Sequence, residues 1–519
     1  MRRGAAGAAA PAVALAAALL AAGGAQALAL AWPGSGQPLW WLQIVSLAGF
    51  AWLLRRAPGA LGAALRGWLF ATAWLAGTFW WLFISMHTYG GLAAPLAALA
   101  VLGLAAFLGS YYAVASWCFL ALRPKGRALA AIVFAALWLL AELARGVLWT
   151  GFPWGAGGYA HADGPLAALA RWGGVYGVGA LAAALAMALA QARPADLLRL
   201  RAWLGAGALA LVLWGAADGR ERALAPEPEA APPLGVALLQ GNIPQDEKFQ
   251  PGSGVPLALR WYGQELRAAR ARLVVAPETA IPLLPQQLEP GYLEQLRSRY
   301  SALDGTQAAL VGIPLGSFTQ GYTNSALGWV PGAIEPYRYD KHHLVPFGEF
   351  IPPLFKWFTE MMDIPLGDFN RGGLGQPSMA WAGERIAPNI CYEDLFGEEL
   401  GARFADPQQA PTIFVNLSNI GWFGDSIAID QHLAISRMRA LEFERPMVRA
   451  TNTGATALID HRGQVTQRLP AHTRGVLLGE VQGRTGLTPF ARWVARAGLA
   501  PLWGLGLAVV ALAWWRRRR

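Results

Sequence analysis

The chain has 519 residues and a mass of 55.4 kDa, enough for two or three domains. Hydrophobic residues make up 55% and charged residues 14%, against about 25% charged in an average soluble chain, which argues against a disordered chain and a highly charged nucleic-acid binder. The net charge of +10 is confined to the ends: residues 1–217 hold 13 Lys and Arg against 3 Asp and Glu, residues 218–497 hold 25 against 29, and the last 22 hold 4 against none. Such a distribution signals membrane topology and not a polyanion-binding face.

In chain order, seven apolar segments come first, at 9–31, 38–54, 66–84, 93–120, 128–148, 165–190 and 202–217, and an eighth closes the chain at 498–515. Most approach the ~20 residues that cross the hydrocarbon core, although the second and seventh are short. Alternating the sides places Arg2, Arg3, Arg55, Arg56, Arg66, Arg123, Lys125, Arg127, Arg193, Arg199, Arg201 and Arg516 to Arg519 inside. The outer loops near 32–37, 85–92 and 149–164 carry no Lys or Arg, so both termini are expected in the cytoplasm and the middle region on the outer side. Gly24-Ala25-Gln26-Ala27 imitates a signal-peptidase site, but the long apolar run and the six spans after it favour an uncleaved helix. Glu142, Arg145 and Arg171 lie near the outward ends of their spans, where helix packing or a lipid head group accounts for them. Trp149 to Trp154 supply aromatic interface anchors.

Residues 218–233 turn charged and Pro-rich, a linker. From 234 to 497, short β-rich runs alternate with longer segments. The runs are Leu234–Gln240, Leu273–Ala276, Ala309–Ile313, Ser325–Val330, Arg385–Ile390, Thr412–Leu417, Val448–Thr451, Thr456–Ile459 and Gly475–Glu480; Pro256–Arg270 and Ile427–Phe443 suit helices on sheet faces. An α/β layered domain is the expectation.

Two cysteines are present. Cys118 lies in the fourth span beside Trp117 and Phe119 and reads as a buried small hydrophobe. Cys391, alone in the outer region at a strand end, is an unpaired thiol in an oxidising compartment, so its reactivity or its burial must account for it. A nucleophilic Cys needs a base and an oxyanion stabiliser. Glu278, after another strand, can take the proton, and Lys341 can supply the charge; Glu349 and Glu393 can hold them in place, though Glu and Lys are also common surface residues. A Cys-His arrangement through His342 is the competing one, and His432 and His461 are isolated. No zinc-type ligand spacing and no phosphate-cradling glycine loop appear, so neither metal nor cofactor is expected.

Five segments stand out together: Gln240-Gly241-Asn242-Ile243-Pro244-Gln245, Ala276-Pro277-Glu278-Thr279, Asp340 through Phe350, Asn389-Ile390-Cys391-Tyr392-Glu393, and Gln431 through Gly454. With these the chain resembles the nitrilase superfamily, with its αββα sandwich and Glu-Lys-Cys triad, and more narrowly, over nearly its whole length, the bacterial apolipoprotein N-acyltransferases. Two positions depart from the family: Phe249 stands nearest to where a Trp is frequent, and Asn419-Ile420-Gly421-Trp422-Phe423-Gly424 replaces Asn-Asp-Ala-Trp-Phe-Gly.

The resemblance implies a seven-plus-one helical membrane domain with an inserted nitrilase-like domain: 1–217 bundle, 218–233 linker, 234–497 periplasmic catalytic domain, and 498–519 last helix and basic tail. It implies Glu278 as general base, Lys341 as oxyanion stabiliser and Cys391 as nucleophile, with Glu349, Tyr392 and Glu393 in support. The implied reaction moves an acyl chain from a membrane phospholipid through a Cys391 thioester to the α-amine of the diacylglyceryl-cysteine of an apolipoprotein, in the bacterial inner membrane, by a monomer without cofactor, metal or nucleic acid. A membrane-tethered amidase acting on a small non-lipid amide is the alternative, and a non-enzymatic scaffold a weaker one. Phe355, Trp357, Phe358, Met361 and Met362, in a Pro-bracketed stretch after Glu349, are expected to form a lipid-facing lid.

Overall fold

The computed structural model describes residues 3–223, 232–317, 319–351 and 369–519. The chain forms two compact units: one of residues 1–80, 95–226 and 499–519, the other of 81–94 and 227–498.

In the first unit the apolar segments become helices α1 (Arg3–Leu28), α2 (Trp40–Leu54), α3 (Ala60–Thr78), α4 (Ala94–Leu122), α5 (Arg127–Val147), α6 (Ala170–Ala190) and α7 (Leu200–Ala223). Pro11–Leu28, Ala94–Leu122, Arg127–Thr150 and Pro165–Ala190 are long and apolar enough to cross a membrane, and six segments qualify if two bent helix pairs each count as one. Trp40–Leu54 is shorter. This is a multi-pass membrane protein. Its helices pack closely through small residues: at Gly67 of α3 a Cβ would collide with the Ser116 hydroxyl of α4 and stand 2.7 Å from the Tyr112 carbonyl. Phe50 stacks on Phe70 at 4.3 Å and Trp74 on Trp138 at 5.6 Å, filling the space between helices.

Glu142 and Arg145 bind the segment that follows α5. Both are fully buried; Arg145 Nη1 donates to the carbonyls of Phe152 and Trp154, each at 2.7 Å, and Gly157 N donates to Glu142 Oε1 at 2.8 Å. The segment is therefore not a uniform aromatic belt. Trp149 is 81% exposed, whereas Trp154 is 3% exposed, because these two charged side chains satisfy the backbone around it.

The third predicted span ran to residue 84, but α3 stops at Thr78. From Trp81 onward the chain packs with the second unit: the Trp81 indole donates to Gln431 Oε1 at 3.0 Å and its ring meets Phe423 at 4.2 Å, while Tyr89 meets Trp422 edge-on.

The second unit holds two six-stranded sheets. The first has the order β12-β1-β2-β3-β4-β5, with β1 (Leu234–Gln240), β2 (Leu273–Ala276), β3 (Ala308–Ser317), β4 (Gly321–Trp329), β5 (Tyr337–Asp340) and β12 (Gly475–Val481). The second has the order β11-β10-β9-β8-β7-β6, with β6 (Met379–Trp381), β7 (Glu384–Ile390), β8 (Ile413–Ser418), β9 (Met447–Thr451), β10 (Ala457–Ile459) and β11 (Val465–Arg468). Each has three parallel strands at its centre, β1-β2-β3 and β7-β8-β9, with antiparallel strands outside them. All nine strand runs read from sequence are present. β5, β6 and β11 were not foreseen: each has only three or four ladder pairs and, unlike the equally short β10, is partly exposed.

Alternation of side chains explains the layers. Val236 and Leu238 of β1, Leu273 and Val275 of β2, and Leu310 of β3 form one core with Ile386 and Ile390 of β7, Ile413, Val415 and Leu417 of β8, and Val448 of β9: the two sheets face each other. The intervening residues Ala237, Leu239, Val274 and Val311 point the other way, against α8 (Gly254–Ala268) and α9 (Tyr292–Tyr300). On the second sheet Phe414 meets Phe443 of α10 (Ala428–Phe443), and Phe443 meets Phe490 of α11 (Pro489–Ala497). The result is an αββα sandwich, followed by α12 (Ala500–Arg518) of the first unit.

Candidate functional site

Parallel strands end together, so residues just beyond β2, β5, β7 and β8 converge. Glu278 lies two residues past β2, Lys341 follows β5, Cys391 follows β7 and Asn419 follows β8. At Gly312 a Cβ would strike the Pro277 carbonyl and stand 2.7 Å from Glu278 Cα, so only glycine lets β3 lie against the Glu278 turn.

Cys391 has φ 52°, a left-handed backbone for a non-glycine residue, between extended Ile390 and the 3₁₀ turn Cys391–Leu395. Such a conformation persists only when the surroundings impose it. Glu393 imposes much of it. Its Oε2 accepts Ile390 N at 2.6 Å, its Oε1 accepts His342 N at 2.7 Å, and the Tyr339 hydroxyl reaches both oxygens at 2.8 Å. Glu393 thus ties the backbone of the Cys391 turn to the backbone beside Lys341. Glu393→Ala is expected to orphan these buried donors and destabilise the domain by roughly 3 kcal/mol or more, read as a lowered thermal unfolding midpoint, with Glu393→Gln less severe.

Lys341 Nζ lies 3.2 Å from Glu278 Oε1 and 2.9 Å from Glu349 Oε1. Asn324 Nδ2 donates to the same two oxygens, each at 2.7 Å, and Asn419 N donates to Glu278 Oε2 at 2.8 Å. The second Glu349 oxygen accepts Val345 N at 2.8 Å. Burial alone would push the Glu278 carboxyl up, but the Lys341 ammonium and the Asn324 amide outweigh it and hold it below the usual carboxylate range. Burial likewise disfavours the charge on Lys341, and Glu278 and Glu349 outweigh it, keeping the ammonium protonated. The Cys391 thiol is pushed up to about 12 by burial and by Glu278, against the opposing pull of Lys341 and a 3.3 Å contact from the Ser418 hydroxyl. The resting arrangement is therefore a neutral thiol beside an ionised carboxylate and an ammonium. It can pass a proton from sulfur to carboxylate as sulfur attacks a carbonyl, with a cation at hand for the oxyanion.

Tyr392 is buried and meets Phe396 at 5.2 Å. The histidines are engaged elsewhere. His342 Nδ1 meets the Gly372 carbonyl, and His343 stacks on Phe396 at 3.5 Å and meets Glu399. His432, which the sequence left isolated, meets the main-chain oxygen of Cys391 at 3.2 Å and Asp394 Oδ1 at 2.9 Å, and Asp394 is joined by Ser436 and Arg449. This fully buried group lies against the Cys391 turn and holds its backbone. Asn324, Asn419, Ser418 and Lys248 are further members of the site that sequence reasoning did not pick out. Phe355, Trp357, Phe358, Met361 and Met362 lie outside the described residues. Among the described residues no group of His, Cys, Asp and Glu is arranged to hold a metal ion.

Residues 10–188 match the family model described as the apolipoprotein N-acyltransferase N-terminal domain, and residues 235–490 match the carbon-nitrogen hydrolase model. The chain is 68% identical to an apolipoprotein N-acyltransferase of Verminephrobacter eiseniae, over 92% of each chain. It is 49% identical to that of Ralstonia nicotianae, over 92% of this chain and 90% of the relative, and 44% identical to that of Bordetella bronchiseptica, over 96% of each.

Proposed function

Because the chain belongs to the apolipoprotein N-acyltransferase family, and is thus an enzyme that transfers an acyl chain to the N-terminal cysteine of lipoproteins, we propose that Cys391, Glu278 and Lys341 carry the transfer. The observation that supports this most is the strained Cys391 turn meeting a carboxylate that shares one ammonium with Glu349.

In the first half-reaction Cys391 Sγ attacks the ester carbonyl of a phospholipid while its proton passes to Glu278. The oxyanion collects beside Lys341; the C–O bond breaks, and Glu278 returns the proton to the departing lysophospholipid. A thioester remains. In the second half-reaction the α-amine of the diacylglyceryl-cysteine attacks that thioester, gives a proton to Glu278, and the C–S bond breaks with the proton returning to sulfur. Glu349 keeps Lys341 in place, and Glu393 and Tyr392 shape the turn.

The test is to hold the purified enzyme with phospholipid and no acceptor. Intact mass and peptide mapping are expected to find one acyl group on Cys391, removable by hydroxylamine; full transfer activity without it would exclude the thioester route. The pH dependence follows from the charges. Glu278 must be ionised, and its carboxyl is held low, so thioester formation is lost as pH falls through the carboxylate range. The thiol, at about 12, gains nothing from ionisation near neutrality, so the rate is expected to level off rather than climb between pH ~6 and ~9.

The membrane part of this reading has eight crossings, by α1 to α7 and α12, with domain limits at 1–217, 218–233, 234–497 and 498–519. The clustering of Lys and Arg in alternate loops supports cytoplasmic termini and a periplasmic catalytic domain. Alkaline phosphatase fused after residue 233 is expected to be active and fused after residue 125 inactive; the reverse would invert the topology.

A further inference from the structure

Lys248 lies in the run Gln245-Asp246-Glu247-Lys248-Phe249, which reads as a charged surface turn. In the fold it is 1% exposed. Its Nζ donates to the main-chain carbonyl of Glu278 at 3.1 Å, and its backbone is fixed because the turn is pressed on the start of α8: a Cβ at Gly254 would stand 2.8 Å from Lys248 Cα. A lysine buried to this degree needs a reason, since its charge is costly without compensation.

The charge balance of the site supplies one. Lys341 alone pairs with two carboxylates, Glu278 and Glu349, which leaves these three groups one negative charge in excess; the Glu393 carboxyl also faces Lys341, but burial pushes it up and Ile390 N, His342 N and the Tyr339 hydroxyl satisfy its oxygens. Lys248, which interacts with both Glu278 and Cys391, closes the balance. The balance also survives the chemistry. When the thiol proton moves to Glu278 and an oxyanion forms, two negative and two positive charges remain. Arg449 also faces Cys391 but is held by Asp394, 3.2 Å away, so it does not serve this purpose.

We propose that Lys248 is a positioning residue for the general base: it anchors the main chain of Glu278 at the end of β2 and supplies the second cation that keeps the Glu278 carboxylate ionised for Cys391. The inference rests on Glu278 being the base. Burial pushes the Lys248 ammonium down to about 7, against the pull of Glu278 and Cys391, so it is charged throughout the lower pH range in which Glu278 titrates. Removing that charge makes the carboxylate harder to ionise, and the acidic limb of the rate profile moves to higher pH.

The experiment measures single-turnover formation of the acyl-enzyme from phospholipid, across pH, for wild type, Lys248→Met, Lys248→Gln, Lys248→Arg and Glu278→Gln. Lys248→Met and Lys248→Gln are expected to move the acidic limb up by about one pH unit, the lower end of the effect of an adjacent opposite charge, and Lys248→Arg to leave it near the wild-type position. Either neutral variant suffices if the other fails to fold. A neutral variant that slows the reaction by the same factor at every pH, with its limb unmoved, overturns the proposal. Glu278→Gln separates the two ideas: if it retains both rate and acidic limb, the assignment of the base has failed, whatever Lys248 does.

Discussion

Cys391→Ala is expected to form no acyl-enzyme and to lose transfer activity by at least about 10³-fold, while remaining folded. The size follows from the role of the sulfur: without it the ester must meet the amine directly, and the carboxylate and ammonium have no intermediate to act on. Folding should survive because a smaller side chain at φ 52° keeps the same backbone, which Glu393, His432 and the Asp394 group hold through main-chain contacts and not through the thiol. Cys391→Ser tests the same point more finely. Its hydroxyl fits the space beside Ser418, but a poorer nucleophile should leave transfer strongly reduced. Activity assays on the purified variants, paired with thermal unfolding, would check both halves of this expectation.

Lys341→Met is expected to be the more damaging change, because it removes chemistry and stability together. Its ammonium is the direct ionic partner of Glu278 and Glu349, all three side chains lying almost entirely inside the domain. Removing one member of a buried ion cluster leaves uncompensated charge and costs roughly 3–5 kcal/mol. Part of that loss is recovered if Glu278 takes up a proton, but a protonated Glu278 cannot accept the thiol proton. The variant should therefore unfold at lower temperature and form the acyl-enzyme at least ~10²-fold more slowly, the magnitude of losing one oxyanion donor. Normal thioester formation by a folded Lys341→Met enzyme would remove Lys341 from the first half-reaction.

Much of the candidate site was legible because its polar side chains lie at strand ends. Glu278 and Cys391 each follow a largely buried strand, β2 and β7, and a carboxylate or a lone thiol after such a strand stands out. Lys341 was harder, since the short β5 gives little periodicity and a lysine is as common on a surface as in a site; it stood out only as a cation that a reactive Cys391 would need. Lys248 and Asn324 left no signal, and Asn419 was noted only as part of a segment that departs from the family. Lys248 hides among Asp246 and Glu247, Asn324 lies within a strand of small residues, and Asn419 contributes a backbone N–H that any residue would carry.

The same limit applies to the fold. Nine of the strands were evident from their β-rich runs, but the antiparallel pairing of β1 with β12, more than 230 residues apart, has no local trace. The end of α3 was misjudged for a related reason. Trp81 and its neighbours are as apolar as a membrane span, and only their contacts with Phe423, Trp422 and Gln431 reveal that they belong with the second unit. The charges at Glu142 and Arg145 were found readily; what they bind, the backbone of Phe152, Trp154 and Gly157, was settled only by the packing.

The two half-reactions can be separated and rejoined. Enzyme acylated from a phospholipid with a labelled acyl chain is freed of lipid substrate and mixed rapidly with a diacylglyceryl-cysteine peptide bearing a free α-amine. The label is expected to leave Cys391 and appear as an amide on the peptide at least as fast as steady-state turnover, regenerating the free thiol one for one. Label that stays on Cys391, or is lost to water while peptide acylation awaits fresh phospholipid, would contradict this.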